Sequence, residues 1–298
     1  MLKNFLRELT PPIVFSALRM VYKRVKIGTP IFDGLYSSLA DVPRIEEDPF
    51  VHPNWISYVG PRAESRKGGV SYQDMHEMCL SLIASMLPEA LDEAPQAIID
   101  FGGGVGMYWP ALKAQNKAGR AGDFIVVDNE KNCVSGKALF GAEGVRFESD
   151  FDRVIKAAGS IHLINVASTL HYCLDHEAVI AMLCGSGARF IVVSRHPAQD
   201  DGLPVAYTVQ NVITVNGFCG QIPVVLISVK TLSDLMHGHG YKLISDYYTK
   251  TDPDKYWINS RTTVAAEFSQ IIDHALVFQK QPILPAATHH RHLPACND

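Results

Sequence analysis

The stretch Ile98-Ile99-Asp100-Phe101-Gly102-Gly103-Gly104-Val105-Gly106 decides how this chain is read. An apolar run with the look of a buried strand leads into a glycine-rich turn, and a helical stretch is expected to open near Gly106. Glycine lets the backbone turn sharply and lets a ligand approach it closely. At the carboxyl end of a first strand, such a turn lies at the topological switch point, where open α/β sheets bind their ligands.

Working outward from this loop, short apolar runs recur at Ala97–Phe101, Phe124–Asp128, Val145–Ser149, Ile161–Val166 and Phe190–Ser194. Helical stretches start near Gly106, Glu130, Phe151 and Leu174. Continuous apolar strands separated by helices predict βαβ units, right-handed crossovers and a parallel sheet covered on both faces. After the fifth run the rhythm breaks. Residues 195–227 read as a long connection carrying Pro197, Gly202, Pro204, Gly217 and Pro223, with β-like runs at Val209–Val215 and Pro223–Ile227. A helix at about 229–238 and strands at Tyr241–Tyr248 and Thr262–Phe268 follow. The expected fold is α/β: a doubly wound, mostly parallel seven-stranded sheet, with an N-terminal helical cap and an insertion after the fifth strand. Residues 1–96 are expected to form the cap, 97–275 the α/β domain with its insertion at 195–227, and 276–298 a tail containing His289, His290 and His292, where no metal site is expected.

Within the cap, residues 27–70 read as mostly irregular, with Trp55 and Tyr58 needing something to pack on. A helix is signalled from Ser71, with Asp74 completing a capping box and Met75, Met78, Cys79, Leu82, Ile83 and Met86 on one face until Pro88.

The 298 residues are 47% hydrophobic and 19% charged, which excludes a disordered chain and a disulfide-stapled miniprotein. The net charge of −4 supplies no field for gripping nucleic acid, so none is expected as a partner. The six cysteines form no Cys-x-x-Cys pair, and a reducing, cytoplasmic compartment is the natural reading. No apolar stretch is long enough to cross a membrane as a helix. The basic excess is concentrated in residues 1–26, where six lysines and arginines face the single acid Glu8. That segment reads either as a helix packed on the body or as a peripheral contact with a membrane or partner.

The glycine loop can be tested against two fingerprints. A dinucleotide motif, Gly-x-Gly-x-x-Gly or Ala, would place Met107 or Trp109 where a small residue is needed. Asp-x-Gly-x-Gly-x-Gly is filled by Asp100, Gly102, Gly104 and Gly106, and resembles the first motif of class I S-adenosylmethionine-dependent methyltransferases. That resemblance implies S-adenosylmethionine as cofactor, its methionine part cradled by the loop, Gly103 included, with Asp100 helping to hold the amino group. Asp128, with Asn129 beside it, is then the acid for the ribose hydroxyls. Asp150 lies where a polar residue meets the adenine amino group, and Phe151 where a ring covers the adenine. Ala167 and Ser168, ending the fourth strand, complete the cofactor set. Taken alone, an acid after a strand is also often a helix N-cap.

The chain further resembles a poorly characterised family of bacterial S-adenosylmethionine-dependent methyltransferases. The resemblance rests on Thr10-Pro11-Pro12, Phe32-Asp33-Gly34-Leu35-Tyr36, the glycine loop, Leu170-His171-Tyr172, Val209-Gln210 and Gly240-Tyr241. It implies the class I methyltransferase fold and an association with surface-polysaccharide genes, hence a small-molecule or saccharide acceptor. In that fold the acceptor lies beyond the fourth and fifth strands. These supply His171 and His196 as candidate bases and Arg195 as a candidate for orienting an anionic acceptor. Residues 27–70 and 195–227, with Trp55, Tyr58, Tyr207, Gln210 and Asn211, are placed to form a lid or acceptor pocket.

Two other readings compete: a nicotinamide-dependent oxidoreductase, and a non-catalytic binding protein on the same fold. A last strand inserted antiparallel beside the sixth would favour the methyltransferase; a wholly parallel six-stranded sheet would exclude it.

Overall fold

The computed structural model describes residues 32–65, 96–110, 123–214, 217–248 and 272–282. The expectations for residues 1–26, the helix from Ser71, most of the helix after Gly106, the strand Thr262–Phe268 and the histidine tail lie outside the described residues.

Ten strands are described: β1 (Phe32–Tyr36), β2 (Ala97–Phe101), β3 (Phe124–Val127), β4 (Arg146–Glu148), β5 (Ile161–Ala167), β6 (Phe190–Gln199), β7 (Ala206–Thr214), β8 (Gly217–Ser228), β9 (Tyr241–Tyr248) and β10 (Ile272–Lys280). The helices are α1 (Pro53–Ser65), α2 (Glu130–Phe140), α3 (Phe151–Ala157), α4 (His176–Gly185) and α5 (Val229–Gly238). The five expected parallel strands form within a residue or two of their predicted limits, except β6, which continues five residues further. Side by side they run β4-β3-β2-β5-β6, all parallel. β10 then pairs antiparallel with β6 on one edge and with β9 on the other, so β9 points the same way as the first five. These seven strands have the order of a class I methyltransferase sheet, with β10 inserted antiparallel between β6 and β9, but the described sheet is larger than expected: β8 pairs parallel with the end of β6, Ala198 with Ile227 and Gln199 with Ser228, and adds β7 and β1, making ten strands.

Alternate residues of each central strand enter different cores, which is why these runs are apolar throughout. Ile98, Val126, Leu163, Val192 and Val277 pack on one face with Val59 and Ala63 of α1 and Phe140 of α2. Ile99, Ile125, Ile164, Ile191 and Leu276 pack on the other with α3, α4 and α5, through Val154, Ile180, Leu183, Leu232 and Met236.

Three expectations need correction. The last described strand is Ile272–Lys280, so a domain limit at 275 falls inside a core strand; Leu276, Val277 and Phe278 are fully buried rather than part of a tail. Residues 195–227, read as a long connection with β-like runs at Val209–Val215 and Pro223–Ile227, are more extensively stranded than that. β6 runs on to Gln199, and β7 and β8 form an antiparallel hairpin with Tyr207 opposite Val225 and Asn211 opposite Gln221. Pro197 hid the extension of β6, because proline reads as a breaker, yet it is tolerated in a strand where no ladder hydrogen bond is required of its nitrogen. Within the range 27–70, the described residues 32–65 are also more regular than expected. β1 adds to β7, and α1 tolerates Pro53 at its first position while burying Val59 and Ala63 one turn apart. Trp55 and Tyr58 of α1 find their packing against this core.

Candidate functional site

The ends of β2 and β3 converge on one carboxylate. Gly104 N donates to Asp128 Oδ2 at 2.7 Å. Asp128 Oδ1 accepts from Asn129 N at 2.7 Å, Asn129 Nδ2 at 2.9 Å and Asn132 Nδ2 at 2.8 Å. Gly102, Gly104 and Gly106 all take left-handed φ, at +70°, +60° and +85°. Their surroundings differ. A Cβ on Gly102 would lie 2.2 Å from Thr169, and one on Gly103 would lie 2.3 Å from Asp100 Oδ2. On Gly104 nothing lies within 4 Å. The first two glycines are therefore demanded by the protein's own packing, while Gly104 leaves the space above the loop open for a ligand.

Asp100 lies beneath this turn, 1% exposed. Its Oδ1 accepts from Asn165 Nδ2 at 2.7 Å, and its Oδ2 has no hydrogen-bond partner. Burial raises the carboxyl from 3.8 to about 7, opposed by the Asn165 bond and assisted by the nearby Asp128 charge. An orphaned, buried carboxyl oxygen under an open glycine turn suits a ligand that brings positive charge.

At the end of β4, Asp150 and Phe151 have partners within the protein. Asp150 is exposed, and its Oδ1 caps α3 by accepting from Arg153 N at 3.1 Å. Phe151 is buried and meets Phe101 edge to face, with ring centroids 5.4 Å apart. Both lie at the end of β4, but their side chains serve the helix cap and the core.

The ends of β5 and β6 are joined through Ser168 N, which donates to Ser194 O at 2.8 Å. Ala167 is buried at the end of β5. His171 sits in the turn Leu170–Tyr172, 4% exposed, with Nδ1 buried and unpartnered. Burial first, then the charges of His196 and Arg195, hold His171 well below 6.5, so it is neutral at physiological pH. His196 is 1% exposed and faces His274 across the β6–β10 ladder. Burial, reinforced by His274, lowers it to about 4. The fold thus brings His171, Arg195 and His196 together, but seals His196 inside the sheet.

Short motifs that are far apart in the chain also meet. Phe32 of the Phe-Asp-Gly-Leu-Tyr element pairs with Gln210 of Val-Gln, and Tyr172 of Leu-His-Tyr donates its hydroxyl to Gln210 Oε1 at 3.1 Å. The Tyr172 ring packs edge to face on Phe50, and it also packs against the β1–β7–β8 cluster that contains Phe32 and Leu226. The hairpin is therefore fastened to the turn that carries His171. Tyr172→Phe is expected to cost about 1 kcal/mol of stability through the lost Gln210 bond, read by urea unfolding; an unchanged midpoint would show that bond to be of no consequence.

Three residues that the sequence did not single out matter here. Asn165 holds Asp100; a polar side chain inside the run Ile161–Ala167 was its only signal. Asn132 lies one helical turn beyond Asp128 and bonds back to it. Thr169 Oγ1 lies 2.9 Å from Ala167 O and 3.3 Å from Gly102 O, tying β5 to the glycine turn.

No protein-family model matches the chain, and no curated protein matches it. Among solved structures, the chain is similar to the YcgJ protein from Bacillus subtilis, at 14% identity over 70% of this chain and 100% of that one, with a TM-score of 0.46. It is similar to an S-adenosylmethionine-dependent methyltransferase from Clostridium acetobutylicum, at 8% identity over 76% and 98%, with a TM-score of 0.45. It is also similar to magnesium protoporphyrin IX methyltransferase from Synechocystis, at 11% identity over 80% and 100%, with a TM-score of 0.46. These similarities are too distant to carry chemistry across, and the strand order and site geometry stand without them.

Proposed function

We propose that this chain transfers a methyl group from S-adenosylmethionine to an oxygen of a small-molecule or saccharide acceptor. The observation that carries this reading is the left-handed glycine turn, open at Gly104 and bonded to Asp128, at the switch point of a sheet whose last strand is antiparallel. The oxidoreductase reading loses support on the same observation. It loses more at Trp109, which is 8% exposed, packs on Phe124 and donates from Nε1 to Glu143 at 3.1 Å where a dinucleotide loop needs a small residue.

The residues present fit this cofactor. Gly104 gives its backbone room, Asp100 Oδ2 and its raised carboxyl suit an ammonium, and Asp128 retains a charged acceptor for ribose hydroxyls. When bound, S-adenosylmethionine supplies a methyl group on a sulfonium. The protein's share is to hold the acceptor in line with it and to exclude water. His171, neutral and next to the glycine turn through Thr169, is the group placed to take a hydroxyl proton. The α1 segment and the β7–β8 hairpin form the walls on the acceptor side. Cys133, Cys173, Cys184 and Cys219 are free thiols, which supports a cytoplasmic setting. No described helix is long and apolar enough to cross a membrane.

Calorimetry with S-adenosylhomocysteine tests the reading. Binding in the micromolar range is expected, and no heat at millimolar ligand would defeat it. Once an acceptor is in hand, His171→Ala is expected to lower kcat at least about tenfold with cofactor affinity unchanged. Unaltered turnover would remove His171 from the proton transfer.

A further inference from the structure

We propose that the four histidines His171, His176, His196 and His274 form an acid-triggered latch: uncharged, they let the ends of β6 and β10 stay paired, and their protonation parts that pairing. This goes beyond the methyltransferase reading and does not depend on it.

Along the β6–β10 ladder, His274 faces His196 and the next residue, Ala275, faces Ser194, so Arg195 is the extra residue of a β-bulge. His196 and His274 are therefore direct cross-strand neighbours just beyond the bulge. His171, in the turn Leu170–Tyr172, brings its ring centroid to 6.2 Å from that of His196. His176, the first residue of α4, is buried and close enough for its charge to act on His196. Separate segments thus deliver one histidine each to the same place.

Little in this place can receive a proton's charge. His196 is 1% exposed, and neither of its ring nitrogens has a hydrogen-bond partner; nor has Nδ1 of His171. Arg195 on the same strand already acts on His171 with a permanent positive charge. The nearby acids have other work. Asp246 of β9 bonds His274 at 2.8 Å, beside the ring of Tyr248. Asp175 and Glu177, flanking His176, are exposed, and Asp175 caps α4. From β8, the backbone of Ile227 favours a charge on His196, but burial first and His274 second outweigh it. A proton added to His196 would meet like charge directly across the ladder, with neither water nor a free carboxylate to offset it.

The pairing that gives way is a narrow one. Beyond the bulge, β10 pairs with β6 through Ile272 with Ala198, Asp273 with Pro197 and His274 with His196, and Pro197 has no N–H to donate. The same end of β6 carries β8, Ala198 with Ile227 and Gln199 with Ser228, which is where the β7–β8 hairpin joins the parallel strands. Parting β10 from β6 here loosens that junction while Leu276, Val277 and Phe278 stay in the core. The direction follows from linkage. Freed from the fold, His196 takes its proton near the ordinary 6.5, whereas in place it does so only at about 4. Acid therefore favours any state that frees this ring, increasingly as pH falls from 6.5 to about 4.

Hydrogen exchange of the full chain, followed by mass spectrometry and corrected for the intrinsic pH dependence of exchange, tests the latch. Between about pH 7 and about pH 5, protection of residues 194–199 and 272–275 is expected to fall at least about tenfold more than that of β3. His196→Leu, which removes the buried titrating ring, is expected to abolish that difference. Asp246→Asn, a change at a partly exposed position, takes away the one acid bonded to the cluster, and the loss should then already reach about tenfold at about pH 6. If His196→Leu does not fold, Asp246→Asn decides alone. An equal loss of protection in β3 and at the latch, a wild-type response in His196→Leu, or an unshifted response in Asp246→Asn would overturn the proposal.

Discussion

Asp128→Ala is expected to weaken S-adenosylhomocysteine binding at least about a hundredfold, the equivalent of losing two charge-assisted hydrogen bonds. The effect has two sources. The carboxylate would accept from the ligand's ribose, and it already organises the site by bonding Gly104 N, Asn129 and Asn132. Alanine leaves those donors without their acceptor and frees the turn that has to meet the ligand. Asp128→Asn separates the two effects, since its amide oxygen can still accept from Gly104 N but carries no charge. Its affinity should fall between those of the wild type and the alanine variant. Calorimetry reads the affinity and thermal melting reads the loop. A dissociation constant for Asp128→Ala within threefold of wild type would remove Asp128 from the ligand site.

The second large effect concerns Asp100 and pH. Its carboxyl stands at about 7 in the folded chain against 3.8 as the ordinary value. Below 3.8 the group is protonated whether the chain is folded or not, and it costs nothing. Between 3.8 and 7 the unfolded chain loses the proton while the folded chain keeps it, so stability falls as pH rises. Above about 7 the full cost is present, at about 1.4 kcal/mol for every tenfold difference in proton affinity between the folded and unfolded chain. Urea unfolding should therefore show Asp100→Asn more stable than wild type by a few kcal/mol at about pH 8, with the gap closing toward about pH 4. A gap of the same size at both pH values would rule out this account.

The same group makes ligand binding depend on pH. If, as proposed, Asp100 Oδ2 receives the ammonium of S-adenosylhomocysteine, that charge would favour the ionised carboxyl, so binding near about pH 6 should release protons and tighten toward about pH 8. In Asp100→Asn the dependence from this source vanishes. Calorimetry in buffers of different ionisation enthalpy measures the released protons directly, and a buffer-independent enthalpy in the wild type would contradict it.

The five parallel strands could be read from the sequence because a strand buried on both faces must be apolar at every position. Ile98-Ile99 and Ile125-Val126-Val127 show that without knowledge of their neighbours. The glycine turn could be read because left-handed backbone demands a particular residue type. β10 could not be located in this way. Its run Ala275–Phe278 is as apolar as the others, but its place between β6 and β9 is a matter of pairing partners distant in the chain.

Side-chain roles divide the same way. Asp128 and Asp150 look alike in sequence, each an acid at the end of a strand before a helix. The structure turns Asp128 toward Gly104 and spends Asp150 on the cap of α3. Likewise His171 and His196 are both histidines beyond strand ends, and only the bulge at Arg195, set by the β6–β10 register, determines that His196 is sealed against His274. The sequence by itself determined the sheet's central strands, the glycine turn and the residue types gathered at its rim, because these rest on local periodicity and backbone chemistry. Only the tertiary structure decided which of those side chains face the open turn, since burial and register are set by contacts between segments far apart in the chain.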